Sequence, residues 1–350
     1  MRRINYRDSL REAMYQAMKR DPHVFVMGCG STSPKGIFGT LKGLDKKFGK
    51  LRVIETPIAE NGMTGIAIGS SLMGMRPVLV HQRIDFILLS LDQIINHAAK
   101  WFYMFGGSSP VPITIRSIIG KGWGQGAQHS QNLQAIFAHI PGLKVVMPSN
   151  PYDAKGLFIS SIEDENPVIF IEHRRLYNKT AHVPPKYYRV SLGKGKISRK
   201  GTEVSIVAVS LMVDEALKAA RILKKNYKID AEVIDLRSLR PLDREIIFDS
   251  LKKTGRLLVA DTGFKPFGVG AEICALGAEH CLNFLKAPPK RVGLPESPTP
   301  TSIALEKVYY PNCYDIVQGV IDLFSAESKK SFARVKIKRK KPKDVFKGPF

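Results

Sequence analysis

The sequence predicts an α/β protein of two domains, each a mainly parallel sheet flanked by helices. Three observations lead there. At 350 residues the chain is longer than a single hydrophobic core usually serves. Short apolar runs alternate with stretches of helical periodicity over most of the length, which is the pattern of parallel strands joined by crossover helices. That alternation stops near Leu176, gives way to proline, lysine and glycine, and restarts near Val204. The divisions expected are 1–175 for a first domain, 176–201 for a linker, 202–325 for a second domain and 326–350 for a basic tail.

Each element has its own signal. Apolar residues at helical spacing between Leu10 and Met18 predict a first helix, and Val24 to Met27, ending in Gly28, a buried strand. A helix over Ile37 to Phe48 and a strand over Arg52 to Glu55 are expected next. A helix then opens near Glu60, with small residues (Gly62, Gly65, Ala67, Gly69) that permit close packing. A strand from Arg76 to His81, a long helix from Asp85 to Tyr103 and a strand from Val111 to Arg116 lead into a glycine-rich loop, Gly120 to Gly126. Strands at Leu143 to Met147 and Pro167 to Ile171, with a helix from Pro151 to Ile162 between them, complete the first sheet. In the second domain, strands at Val204 to Val209, Ala231 to Asp235 and Arg256 to Ala260 alternate with helices at Val213 to Lys225, Asp243 to Lys253 and Val269 to Leu285.

Composition narrows the class. The chain is 44% hydrophobic and 24% charged, ordinary values for a globular protein. No apolar run approaches the roughly 20 residues needed to cross a bilayer. The opening Met1-Arg2-Arg3-Ile4-Asn5 does not read as a secretory signal. Four scattered cysteines, Cys29, Cys274, Cys281 and Cys313, contain no CxxC pair, so reduced thiols in a cytoplasmic protein are expected rather than a disulfide framework or a zinc site. The net charge of +23 is unusual and partly local, concentrated in the tail around Lys336-Ile337-Lys338-Arg339-Lys340-Lys341. Such a tail suits docking on a partner. Specific nucleic-acid recognition is not expected, because no helix-turn-helix, zinc-finger or aromatic-basic stacking pattern accompanies the charge.

Five collinear stretches carry a resemblance. They are Ile54-Glu55-Thr56-Pro57-Ile58-Ala59-Glu60-Asn61-Gly62 with Gly65-Ile66-Ala67-Ile68-Gly69; Leu91-Asp92-Gln93-Ile94-Ile95-Asn96 with Ala98-Ala99-Lys100; Gln128-His129-Ser130-Gln131; Pro141-Gly142-Leu143-Lys144-Val145-Val146 with Asp153-Ala154-Lys155-Gly156; and Phe267-Gly268-Val269-Gly270-Ala271-Glu272-Ile273. From about Ile4 to Leu323 the chain resembles the beta subunits of pyruvate, branched-chain and acetoin dehydrogenase decarboxylating components. The resemblance implies a transketolase-like pyrimidine-binding domain followed by a transketolase C-terminal-like domain. It also implies thiamine diphosphate as cofactor and decarboxylation of a 2-oxoacid with transfer of the acyl or aldehyde unit.

The same resemblance gives individual residues their roles. A lone glutamate in a helix's first turn is ordinarily there for the helix dipole. Within this motif Glu60 corresponds instead to the buried carboxyl that bonds a ring nitrogen of the aminopyrimidine. Burial that raises such a carboxyl's pKa would suit that role. Phe86 corresponds to the aromatic that packs on the pyrimidine, and Ile58 joins it as a cofactor contact. His129 corresponds to an active-site histidine that assists proton transfer. Asp164 and Asn166 fall where relatives bind a structural potassium ion, although plain turn chemistry explains such residues equally well.

Two departures and one absence follow. Relatives place paired acids just after the first strand, where this chain has Cys29 and Gly30, so weaker acidic support near Glu60 is expected. In relatives this subunit offers acidic residues to a lipoyl acyltransferase, which a basic tail would repel. No Gly-Asp-Gly stretch occurs. The diphosphate and its Mg2+ are therefore assigned to a separate alpha subunit, in an alpha2beta2 assembly. The alternatives are a two-subunit thiamine enzyme doing carboligation or ketol transfer, and a non-catalytic scaffold whose tail binds an acidic partner.

Overall fold

The strands at the centre of both sheets are buried at nearly every position because helices cover both faces. The chain is described here by a computed structural model covering residues 2–120 and 124–328. In chain order its strands are β1 (Arg3–Asn5), β2 (Val24–Gly28), β3 (Val53–Glu55), β4 (Arg76–His81), β5 (Thr114–Ile119), β6 (Lys144–Val146), β7 (Val168–His173), β8 (Thr180–His182), β9 (Lys196–Arg199), β10 (Val204–Ala208), β11 (Ala231–Asp235), β12 (Ser238–Arg240), β13 (Leu257–Phe264) and β14 (Lys290–Leu294). The first sheet has the order β12-β6-β7-β5-β4-β2-β3, and the second β14-β13-β10-β11-β9. Within these two sheets all pairings are parallel except those of the edge strands β12 and β9, and β1 and β8 form a separate antiparallel pair. This is the two-domain α/β architecture that the periodicity predicts.

The first helix, Tyr6–Arg20, starts where the Asn5 side chain accepts a bond of 2.7 Å from the Asp8 backbone N–H. It packs on the helix Pro151–Ile162, which Asn150 caps in the same way. Between sheet and helices lies a buried ion pair. Arg116 Nε donates to Glu172 at 2.6 Å with both side chains fully buried, and Tyr177 donates its hydroxyl to the same carboxylate at 2.8 Å.

Several elements differ from expectation, each for a tertiary reason. The helix expected over Ile37 to Phe48 is two short turns, Gly36–Gly39 and Leu44–Phe48. Ile37 and Phe38 have φ of +33° and +58°. Ile37 is buried and the Arg174 guanidinium lies 3.5 Å above the Phe38 ring, so packing sets the backbone here. The long helix from Asp85 changes winding, from an α-turn at Ile84–Ile87 through a 3-10 turn at Leu88–Ser90 to a π-helical stretch at Gln93–Ala98, before ending as Ala99–Met104. The strand expected at Val111 begins three residues later, after Pro112, which has no N–H for the ladder. The segment 176–201 carries two strands: β8 pairs with β1, and β9 joins the second sheet.

Strand β12 leaves the second domain and adds itself to the first sheet beside β6. Side chains reinforce that junction. Arg237 donates to Asp153 at 2.6 Å, Ser149 to the buried Asp235, and Gln134 Nε2 to the buried Asp261 at 2.8 Å. The basic tail lies outside the described residues from 329 onward, and the preceding helix is Cys313–Ser328.

Candidate active site

In an open parallel sheet, ligands sit beyond the carboxyl ends of the strands, at the point where successive connections leave in opposite directions. Here β2 connects toward β3 on one side and β4 toward β5 on the other. The crevice between β2 and β4 is therefore the position to inspect, and the chain places its polar side chains there.

Strand β3 ends in Glu55, and the loop after it delivers Glu60 as the first residue of the helix Glu60–Leu72. The Glu60 backbone carbonyl accepts from Thr64 at 2.8 Å, and its carboxylate has no hydrogen-bond partner among the described residues. The burial expected of Glu60 is not supplied by this chain, where the residue is half-buried and Ile58 is 82% exposed. The reason is the surface they share. A side chain added at Gly62 or Gly69 would meet nothing within 4 Å, so this end and face of the helix stand open.

Strand β4 ends in His81 and runs directly into Gln82, Arg83, Asp85 and Phe86. Burial pulls the His81 imidazole down to about 4, so it is neutral at physiological pH; its Nε2 lies 3.3 Å from the Thr64 hydroxyl. Gln82 donates to the Cys29 carbonyl at 2.6 Å, which ties the end of β4 to the turn after β2. Arg83 is buried and donates to the Gln125 side chain and to the Gly120 carbonyl, holding the described flanks of the glycine-rich loop. Residues 121–123 of that loop lie outside the described residues.

Beyond β5 comes His129. Its ring and that of Phe86 meet edge to face, with centroids 5.3 Å apart and an interplanar angle of 87°. Two of the residues singled out from sequence are thus in direct contact although 43 positions apart. Sequence reasoning passed over Asp85 and Gln131. Gln131 donates to Asp85 Oδ1 from its side chain at 2.9 Å and from its backbone at 3.3 Å. Their only signal was adjacency to Phe86 and His129.

The turn after β2 also differs from expectation. Gly30 has φ of +82°, which an L side chain adopts only with strain, and a Cβ there would come within 2.8 Å of the Gln82 amide, which would have to move. An acid reaches the turn from the next strand instead. Glu55 accepts from the Gly30 backbone N–H and from the Thr32 backbone and hydroxyl at 2.9 and 3.0 Å. Burial acts to raise its pKa, but these bonds outweigh it and hold the carboxyl below the usual range. Cys29 feels the outcome: burial first, then the charges of Glu55 and Glu60, push its thiol up. Glu55 and Glu60 thus both bring negative charge to this turn, where positions 29 and 30 carry none.

At the far end of the sheet, the Asp164 carboxylate accepts from Lys144 at 2.8 and 2.6 Å and from the Asn166 backbone at 2.9 Å. Those side chains are committed to holding the turn. Arg76 donates to the Ile162 and Asp164 carbonyls at 3.2 and 3.3 Å. Among the described residues no group of three or more His, Cys, Asp or Glu side chains is arranged to hold a metal ion.

Comparison with known proteins agrees with this geometry. The transketolase pyrimidine-binding domain matches residues 2–180, and the transketolase C-terminal domain matches residues 193–316. The beta subunit of the Bacillus subtilis acetoin:2,6-dichlorophenolindophenol oxidoreductase is 43% identical over 332 residues, covering 91% of this chain and 97% of that one. The pyruvate dehydrogenase E1 component beta subunit of Rickettsia felis is 41% identical over 91% of this chain and 97% of its own length. The human mitochondrial pyruvate dehydrogenase E1 beta subunit is 41% identical over 91% and 89%. The chain belongs to the beta-subunit family of thiamine-dependent 2-oxoacid dehydrogenases. Among solved structures, a split-gene transketolase described as an inactive beta4 tetramer matches this beta subunit with a TM-score of 0.76. That match covers 93% of this chain and 99% of the other at 23% identity, a likeness of fold. In this beta subunit Glu60, Phe86 and His129 all lie within the pyrimidine-binding match, and Asp261 lies in the C-terminal one. No helix among the described residues is long and apolar enough to cross a membrane.

Proposed function

We propose that this beta subunit holds the pyrimidine half of thiamine diphosphate in an enzyme that decarboxylates a 2-oxoacid and transfers the acyl or aldehyde unit. The observation that carries this is the convergence of Glu60, Phe86 and His129 at one edge of the sheet, with Phe86 and His129 in ring contact. The residues present fit the cofactor: a carboxylate without a partner on an open helix end suits a ring nitrogen, and the half-buried Phe86 ring, after β4 at the same carboxyl end of the sheet, suits a planar heterocycle. Thiamine diphosphate, when bound, supplies the nucleophilic carbon and the electron sink needed to break a bond next to a carbonyl. The chain's own residues bind and place. Glu60 holds a proton at the pyrimidine nitrogen, Phe86 and Ile58 pack on the ring, and His129 serves proton transfer to or from the substrate.

The open surface around Ile58 and Glu60 supports a second chain as the missing wall. We assign the diphosphate and Mg2+ to an alpha subunit, in an alpha2beta2 heterotetramer; the basic tail disfavours a lipoyl acyltransferase as acceptor. A potassium ion at the Asp164–Asn166 turn would have to displace Arg76 from the Ile162 and Asp164 carbonyls, since the Asp164 carboxylate is engaged by Lys144. Four free cysteines support a reducing, cytoplasmic setting.

Co-expression with the alpha subunit, followed by a 2-oxoacid panel with thiamine diphosphate and Mg2+, tests the reading. Glu60→Gln should lower kcat by about 100-fold or more, the scale of a lost proton-transfer group. Unchanged activity would overturn the assignment.

A further inference from the structure

Two contacts join the same two short segments. The segment after β4 offers Asp85 and Phe86 in succession, and the segment after β5 offers His129 and Gln131. Phe86 meets His129 edge to face at 5.3 Å, while Asp85 Oδ1 accepts both the side-chain and the backbone N–H of Gln131. We infer that Asp85 is a positioning residue, clamping Gln131 so that the His129 ring is held against Phe86.

Three features support a positioning role over plain packing. First, Asp85 is an uneconomical choice for stability. It is buried at 9% exposure, and its Oδ2 has no hydrogen-bond partner among the described residues. A buried carboxylate that uses only one oxygen costs free energy, and burial accordingly raises its pKa against the Gln131 bonds and the nearby Arg83 charge. Second, the clamp reaches the residue it controls through the backbone. The bond from the Gln131 N–H fixes the main chain two positions from His129, and Ser130 between them is buried. Third, the neighbouring Arg83 grips Gln125 on the same loop, so the segment after β4 holds this loop on both sides of His129. A histidine that moves protons must keep its ring within about half an ångström of the productive position, which is what such supports achieve. The inference deepens the proposed role of His129, but its structural half stands without that role.

The test uses the full-length chain with labelled histidine. His129→Asn identifies the His129 ring resonances, and Phe86→Leu shows how far the Phe86 ring displaces them. Asp85→Ala, which removes the acceptor of both bonds, is expected to move those resonances to the Phe86→Leu position, and Gln131→Ala, which keeps the backbone N–H bond, to move them part of the way. Asp85→Asn keeps an acceptor for Gln131 and should retain the wild-type positions. Gln131 is only half-buried, so its variant keeps the test decisive if Asp85→Ala fails to fold. Resonances that stay in place in Gln131→Ala while moving in Phe86→Leu would overturn the inference. With the alpha subunit present, Asp85→Ala should lower kcat by about 10–100-fold with KM little changed, and Asp85→Asn should recover most of that loss. Displaced resonances with unchanged kcat would leave the clamp standing and overturn the reading of His129 as a site residue.

Discussion

Replacing Asp261 with Asn should stabilise the chain at neutral pH and leave its stability near pH 4 almost unchanged. Asp261 is buried in β13, where it accepts from Gln134 at 2.8 Å across the junction between the domains. Its Oδ2 and the Gln134 Oε1 both lack partners among the described residues. Burial raises the carboxyl to about 6, against the opposing bonds from Gln134, Gly263 and Thr262. The folded state therefore binds a proton more tightly than the unfolded state does. Stability falls as pH rises from about 4 to about 6, and the whole penalty is present above that. The rise from the ordinary 3.8 to about 6 corresponds to about 2–3 kcal/mol at roughly 1.4 kcal/mol per unit. Asparagine keeps the acceptor for Gln134, removes the charge and puts a donor in place of the orphan Oδ2, beside the orphan Gln134 Oε1. Urea unfolding followed by far-UV circular dichroism at pH 4, 5, 6 and 8 measures the effect in both proteins. The difference between them should grow from near zero to about 2 kcal/mol across that range. A constant difference would show that Asp261 carries no buried charge at neutral pH, and the reasoning would fail.

Three further perturbations follow from the same geometry. Arg116→Met strands the fully buried Glu172 and should cost about 3–5 kcal/mol, whereas Arg116→Met with Glu172→Gln should recover much of the loss; thermal unfolding compares the two, and a single variant no worse than the double would refute it. His81 is held near 4 by burial, below the unfolded value, so it contributes a loss of stability as pH falls from about 6.5 to about 4; His81→Gln should flatten that loss by about 3 kcal/mol in acid titrations. Gly142 has φ of +97°, and a Cβ there would lie 1.9 Å from the Ala99 carbonyl oxygen. Gly142→Ala should therefore cost roughly 3 kcal/mol or more, read as a lowered thermal midpoint.

What the sequence disclosed depended on how far each signal reached along the chain. The central strands were legible because burial on both faces makes them continuously apolar, as in Val168-Ile169-Phe170-Ile171. Strands β8, β9 and β12 were not, since edge strands of three or four residues are too short to leave a periodic trace. The break at Ile37 and Phe38 was equally hidden, because its cause is a cation over a ring contributed from 136 positions away. Glu60, Phe86 and His129 stood out through the motifs around them. Asp85 and Gln131 did not, since a single polar pair across two loops becomes visible only when both loops are in place.

Cys29 and Gly30 show how a local substitution can be misjudged from sequence. Two small, uncharged residues where relatives place acids suggested a site with less negative charge. The backbone gives a different account. Gly30 adopts a left-handed conformation that lets the main chain turn its N–H groups inward, and with Thr32 they form a cradle for an anion. Glu55, at the end of the adjacent strand β3, fills that cradle from within the same chain. Its charge is then fixed by donors rather than shared with a neighbouring acid, and it remains ionised at lower pH than a free carboxylate. Both Glu55 and Glu60 act on the Cys29 thiol, which places the two carboxylates around one point of the crevice. Thus Glu55 supplies negative field around Cys29 from the end of β3, while the loop after β2 contributes donors rather than acids. Glu55→Gln should consequently lower the Cys29 thiol pKa, measurable by the pH dependence of its alkylation in a variant lacking the other three cysteines. No shift relative to the same background with Glu55 intact would mean that Glu55 does not supply that field.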